Sequence, residues 1–119
     1  KLLKVKGIRA VKSDLFSNVK TKFDLIVFNP PYLPEDERED SESSLITSGG
    51  KKGDEIILRF LKSVKKYMNK DGIILIVISS LTLQKRILKI LKEKKLIRKI
   101  VAMKKVFMEE LQIWKIENK

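Results

Sequence analysis

The chain has 119 residues and a formal charge of +12, with 43% hydrophobic and 35% charged residues. That describes one small domain or part of one, apolar enough to bury a core and too apolar for wholesale disorder. Cysteine and histidine are both absent, which excludes a disulfide scaffold, a thiol nucleophile, Ser-His-Asp and HExxH chemistry and any Cys- or His-based metal site, so no metal is expected. The longest apolar run, Ile73 to Ile78, is far shorter than the roughly 18–20 residues that span a bilayer. A soluble, cytoplasmic chain with no membrane partner is expected. The positive charge has two readings: a polyanionic partner such as RNA, or a Lys- and Ile-rich composition set by an AT-rich genome or a hot habitat.

In chain order, Ile8 to Val11 is a short strand candidate leading into Ser13-Asp14-Leu15-Phe16. Asp24 to Phe28 is a continuous β-branched and aromatic run, the mark of a buried parallel strand. It stops at Asn29-Pro30-Pro31-Tyr32, where two prolines forbid further ladder bonding. From Glu35 to Glu42 six acids and one base reverse the local charge, and Ser48 to Gly53 is a flexible turn. Asp54 is a plausible N-cap for a helix running to about Asn69, with Ile57, Leu61, Val64 and Met68 on one face and Asp71-Gly72 ending it.

Ile73 to Ile78 reads as a second fully buried strand. Leu81 to Lys95 is an amphipathic helix with Leu83, Ile87, Ile90 and Leu91 inward. Leu96 to Met103 and Leu111 to Ile116 are strands joined by a turn at Val106 to Glu110. That connector is too short for a crossover helix, so these two strands pair antiparallel. Alternating strands and helices with apolar central strands predict an α/β open sheet, mostly parallel, with an antiparallel last strand.

The segment that carries chemistry is Phe23 to Tyr32. Ligands of open α/β sheets bind at the carboxyl ends of the strands. There the Asn29 side chain and the Pro30 carbonyl could both accept hydrogen bonds from one –NH2 group, and Tyr32 offers a flat face for a planar amide or base. This suits methyl transfer to a conjugated nitrogen. Two acceptors aimed at its N–H groups raise electron density on a poor nucleophile and hold it in line with a sulfonium methyl. No strong base is needed, so the lack of histidine is compatible with the chemistry. The competing reading is a plain strand-ending turn.

Ser13-Asp14-Leu15-Phe16, Phe23 to Pro34, Gly49-Gly50-Lys51-Lys52-Gly53, Ile73 to Ser79 and Phe107-Met108-Glu109-Glu110-Leu111 together resemble the class I S-adenosylmethionine-dependent methyltransferases. Within them the chain is most similar to the HemK-type protein-glutamine methyltransferases of the archaeal and eukaryotic branch. The resemblance implies a Rossmann-like fold, S-adenosylmethionine as cofactor and the GGQ glutamine of a class I peptide chain release factor as substrate. It also implies roles: Asn29, Pro30 and Tyr32 as catalytic residues, Asn29, Pro30, Pro31 and Tyr32 as amide-binding residues, and Asp14, Leu15 and Asn29 on the cofactor side. It further implies a small zinc-binding activator subunit, whose zinc would belong to that partner.

The family's glycine-rich loop and ribose-gripping acid are not found among the five glycines and their neighbours. By the family's layout, residues 1–119 are expected to be the carboxyl-terminal part of a single catalytic domain, with little cofactor affinity alone and an open sheet edge. Two other functions compete with glutamine methylation. One is an adenine-N6 methyltransferase of DNA or RNA, favoured by the net charge and opposed by the acidic 35–42 stretch, which would repel phosphates over a Debye length of about 8 Å. The other is a truncated, non-catalytic interaction module.

Overall fold

The computed structural model describes residues 6–31 and 53–119. Tyr32, the acidic 35–42 stretch and Gly49 to Lys52, all singled out above, lie outside the described residues. The elements are β1 (Phe23–Phe28), α1 (Glu55–Val64) with a 3-10 turn at Lys65–Tyr67, β2 (Met68–Ser79), α2 (Lys85–Glu93), β3 (Leu96–Val106) and β4 (Glu109–Asn118). The sheet has four strands in the order β1-β2-β4-β3. β1 runs parallel to β2, and β4 runs antiparallel to both β2 and β3. The last strand therefore slots between its two predecessors, as a tight hairpin at Phe107-Met108 allows. The hairpin keeps Met108 at φ 65, a left-handed conformation that is uncommon for a non-glycine residue.

Both helices cover one face of the sheet. In β2, Ile74, Ile76 and Ile78 are buried, and in β4 Trp114 and Ile116. Register places Ile74 beside Ile116 and Ile76 beside Trp114, so all five point to the same side. Ile57, Leu61 and Val64 of α1 and Ile87 and Leu91 of α2 close over them. Full burial of an Ile or Leu side chain is worth about 1.5–3 kcal/mol. Arg98 lies over the Trp114 ring at 4.4 Å from its centroid, and the indole Nε1 donates to Gln112 Oε1 at 2.8 Å. The buried tryptophan thus keeps its polar tip satisfied.

Among the described residues, nothing covers the opposite face. Leu25 and Val27 of β1 are 52% and 68% exposed, and Ile97 and Ile113 are exposed as well. Ile73, Leu75 and Val77 between them are half-buried. β1 is parallel as expected but forms an edge among the described residues, where its outer residues lack the cover that the apolar run Leu25 to Phe28 implies. β2 likewise is buried on one side only.

Several expected boundaries move. Ile8 to Val11 forms no strand: Ile8 and Val11 are exposed, and no strand of the sheet pairs with them. α1 ends at Val64 rather than near Asn69, because the chain tightens into a 3-10 turn and enters β2 at Met68. Asp71 and Gly72 consequently lie inside β2. Gly72 is required there by close packing: a Cβ would stand 2.9 Å from the Phe23 carbonyl oxygen and 3.0 Å from that of Asn69. Asp54 occupies the N-cap position of α1 without a side-chain capping bond. The second helix begins at Lys85, so Leu83 lies in the preceding turn and is exposed rather than inward.

Candidate active site at the carboxyl end of β1

Phe23 to Phe28 delivers Asn29 and the prolines to the end of an edge strand next to β2. β1 alternates, with Ile26 and Phe28 against the core and Leu25 and Val27 on the open face. The alternation continues past the last strand residue: Asn29 is exposed, Pro30 is buried and Pro31 is half-buried. A buried proline holds the backbone, and its missing N–H leaves no orphan donor. The Asn29 carboxamide has no hydrogen bond to another described residue, so its oxygen remains available as an acceptor.

Asp14 and Leu15 belong to a tight turn wired by short polar contacts. The Asn18 N–H donates to Ser13 Oγ at 2.8 Å, the Asp14 N–H donates to Ser17 Oγ at 3.0 Å, and Asn18 Nδ2 donates to the Lys12 carbonyl at 2.8 Å. Leu15 takes a positive φ of 52 in this turn. The Asp14 carboxylate is exposed and receives Arg59 Nη2 on its Oδ2 at 2.9 Å. A carboxylate has acceptor sites beyond that one bond. An open depression of about 220 Å³ adjoins it, lined by Asp14, Leu15, Phe16, Arg59, Ser63 and Tyr67.

A run of stacked rings connects the Asp14 turn to the end of β1. Phe16 stacks on Tyr67 at 4.5 Å and on Phe60 at 5.4 Å, and Phe60 stacks on Phe28 at 4.3 Å. Phe28 is the residue before Asn29. Two segments that the sequence marks as cofactor-facing and amide-facing are therefore fixed to the same α1 side chain. Aromatic pairs at these spacings contribute about 0.5–1.5 kcal/mol beyond their buried area.

Two polar assemblies escaped the sequence reading. Ser79, buried at the carboxyl end of β2, donates through Oγ to Glu109 Oε2 and accepts the Leu81 N–H at 3.0 Å. Arg86 donates to the buried Asp54 through Nε, at 2.8 Å to Oδ2, and through Nη2 to Oδ1. The hydrogen bond to Asp54 raises the Arg86 guanidinium above its ordinary value, against a smaller lowering by burial. The partners are 30 and 32 residues apart, and no local spacing signals such pairs. Among the described residues, no group of three or more acids could hold a metal ion, and no helix is long and apolar enough to cross a membrane.

The chain is similar to several known proteins. Residues 2–107 match the family model of the Eco57I restriction-modification methylases. A Methanocaldococcus jannaschii protein that bears the name "putative protein N5-glutamine methyltransferase" is 45% identical over 109 residues, covering 90% of this chain and 55% of that protein. A Francisella tularensis ribosomal protein uL3 glutamine methyltransferase is 36% identical over 76 residues, covering 58% of this chain and 24% of its own length. Among solved structures, a chain of the E. cuniculi Mtq2–Trm112 complex, responsible for methylation of the eRF1 translation termination factor, superposes with a TM-score of 0.73 at 28% identity. It covers 96% of this chain and 63% of that one. A ribosomal protein L11 methylase from Lactobacillus delbrueckii shares the fold alone, with a TM-score of 0.54 at 21% identity over 91% of this chain and 44% of that one. The chain spans about half the length of the Methanocaldococcus relative.

Proposed function

The chain belongs to the Eco57I restriction-modification methylase family and has the class I methyltransferase fold, and from that premise we propose that it methylates the side-chain amide nitrogen of a glutamine in a class I peptide chain release factor. The observation that carries the proposal is the end of β1, where Asn29 stands exposed and unpaired among the described residues beside a buried Pro30. The 45% identity to a protein named for N5-glutamine methylation supports the amide as substrate.

In this reading the Asn29 carboxamide oxygen and the Pro30 carbonyl accept the two N–H groups of the substrate amide. That fixes the nitrogen's orientation and raises its electron density as it attacks. Tyr32 and Pro31 flank the planar amide. S-adenosylmethionine, when bound, supplies the electrophilic methyl. Asp14 and Leu15 would hold its adenine end, since the Asp14 carboxylate is exposed and retains acceptor capacity beside its Arg59 bond. Residues 1–119 would form the carboxyl-terminal part of a single catalytic domain. The partner is a small activator subunit, supported by the Mtq2–Trm112 neighbour; any zinc is that subunit's, as this chain has neither cysteine nor histidine. The reaction is placed in the cytoplasm, where release factors act.

The test is transfer of a labelled methyl group to a release factor, with parallel arms on DNA and RNA. It uses the chain joined to an amino-terminal half that carries the glycine-rich cofactor loop. Label on the release-factor glutamine supports the proposal, and label on nucleic acid alone rejects it. The second outcome is the adenine-N6 reading, which the name of the matching family and the charge of +12 favour.

A further inference from the structure

We propose that the outer side of the α1–α2 layer is an RNA-docking surface that tracks a phosphate backbone without reading its sequence. α1 and α2 pack on the same sheet face through Ile57, Leu61 and Val64 and through Ile87 and Leu91, so their outward sides face the same way. Those sides carry Lys62 in the last turn of α1, Lys66 in the 3-10 turn that follows it, and Lys85, Lys89 and Lys92 along α2, all exposed. Lys65 Nζ donates to the Lys94 carbonyl at 2.6 Å, which ties the two basic sides into one surface.

The compensation of charge is uneven. Arg59 is matched by Asp14 and Arg86 by Asp54, whereas the five lysines have no carboxylate partner among the described residues. The acids of the two helices are Glu55, in the first turn of α1, and Glu93, at the end of α2. Glu93 follows Lys89 by four residues, the weaker orientation for a helical ion pair. Lys85 with Lys89 is a like-charge pair at the same spacing and opposes helix formation. A polyanion relieves that repulsion.

The dimensions agree. Lys85 to Lys92 spans about 10 Å at 1.5 Å per residue, a row long enough to follow a backbone past a single phosphate. The aromatics of this layer, Phe60 and Tyr67, are buried and half-buried against Phe16, so the contact supplies charge rather than base stacking. The choice of RNA rests on the proposed function, because a protein of the translation apparatus is surrounded by RNA.

Direct binding of the full chain to a short labelled RNA duplex, followed by anisotropy across a salt series, tests this. Five phosphate contacts predict that log K falls with log[salt] at a slope of about −4 to −5. K85E/K89E/K92E weakens binding by about tenfold or more, K62E/K66E on the neighbouring helix also weakens it, and K85Q/K89Q/K92Q gives an intermediate loss. K99E/K104E/K105E on β3 leaves binding in place. Equal loss from the β3 set, no loss from the helix sets, a DNA duplex of the same length bound more tightly, or anionic phosphatidylserine vesicles bound in preference would each overturn the assignment. Methyl transfer to isolated release factor, with no RNA present, is unchanged in the helix variants. Absence of that transfer while RNA binding persists strikes the proposed function and leaves the surface standing.

Discussion

The guanidinium of Arg86 closes on the carboxylate of Asp54 with two hydrogen bonds, and the carboxylate is wholly buried. The pair joins the residue before α1 to the first turn of α2, and it is made where a side-chain cap would otherwise be. Breaking a buried pair by removing one partner strands the other charge, whereas replacing both by apolar groups of similar volume is often neutral.

R86Q is therefore expected to lower the urea midpoint several times more than a surface change such as K89Q, and D54L/R86M to recover most of the loss. The raised guanidinium fixes the sign of any pH effect. Its stabilisation is complete below the unfolded value and is lost only as pH climbs through the higher folded value. Titration through the neutral and mildly alkaline range should leave this contribution intact, which equilibrium unfolding at several pH values checks.

Asn29 offers the sharpest test of chemistry. It is exposed and makes no hydrogen bond to another described residue, so N29A should leave the melting temperature unchanged. Loss of one preorganised polar contact in a transition state costs about 10²–10³ in kcat, and single-turnover methyl transfer should fall by that much or more. Retained transfer would remove Asn29 from the mechanism.

Phe60 sits between Phe16 and Phe28 and is almost fully buried. F60A should destabilise the fold by about 3–5 kcal/mol, the usual range for a deleted buried ring. F60L keeps volume while removing the stack. It should cost far less in urea denaturation, yet loosen the Asp14 turn, read as faster amide hydrogen exchange at Ser17 and Val19, whose N–H groups close that turn.

G72A tests the approach of β1 to β2. A Cβ there meets backbone carbonyl oxygens, not flexible side chains, so the strands must separate. The expected cost is about 1–3 kcal/mol, the range for overpacking, with exchange protection lost first in Leu25 to Phe28.

The core strands were legible because their apolar runs have one physical explanation. Asp24 to Phe28 and Ile73 to Ile78 could hardly be anything else, and the short connector after Val106 left β3 and β4 only the antiparallel pairing. Asn29 and Pro30 stand out in the sequence by position, since strand ends in such sheets carry ligands, and the structure puts both directly after β1. The end of α1 was not: Met68 fits both a helical stripe and the first inward position of a strand, and it is buried in either role. Asp54 looked like a cap because aspartate there usually is one; only the distant Arg86 decides otherwise. Ile8 to Val11 has strand composition but no neighbour to pair with among the described residues, and composition alone forms no ladder.

The one-sided burial of the sheet has a thermodynamic consequence. The heat-capacity increment of unfolding comes from apolar surface newly hydrated. Leu25, Val27, Ile97 and Ile113 are already largely wetted in the native state and add little to it. Calorimetry of this chain should return less than the usual increment of about 12–15 cal/mol/K per residue, hence a flatter stability curve.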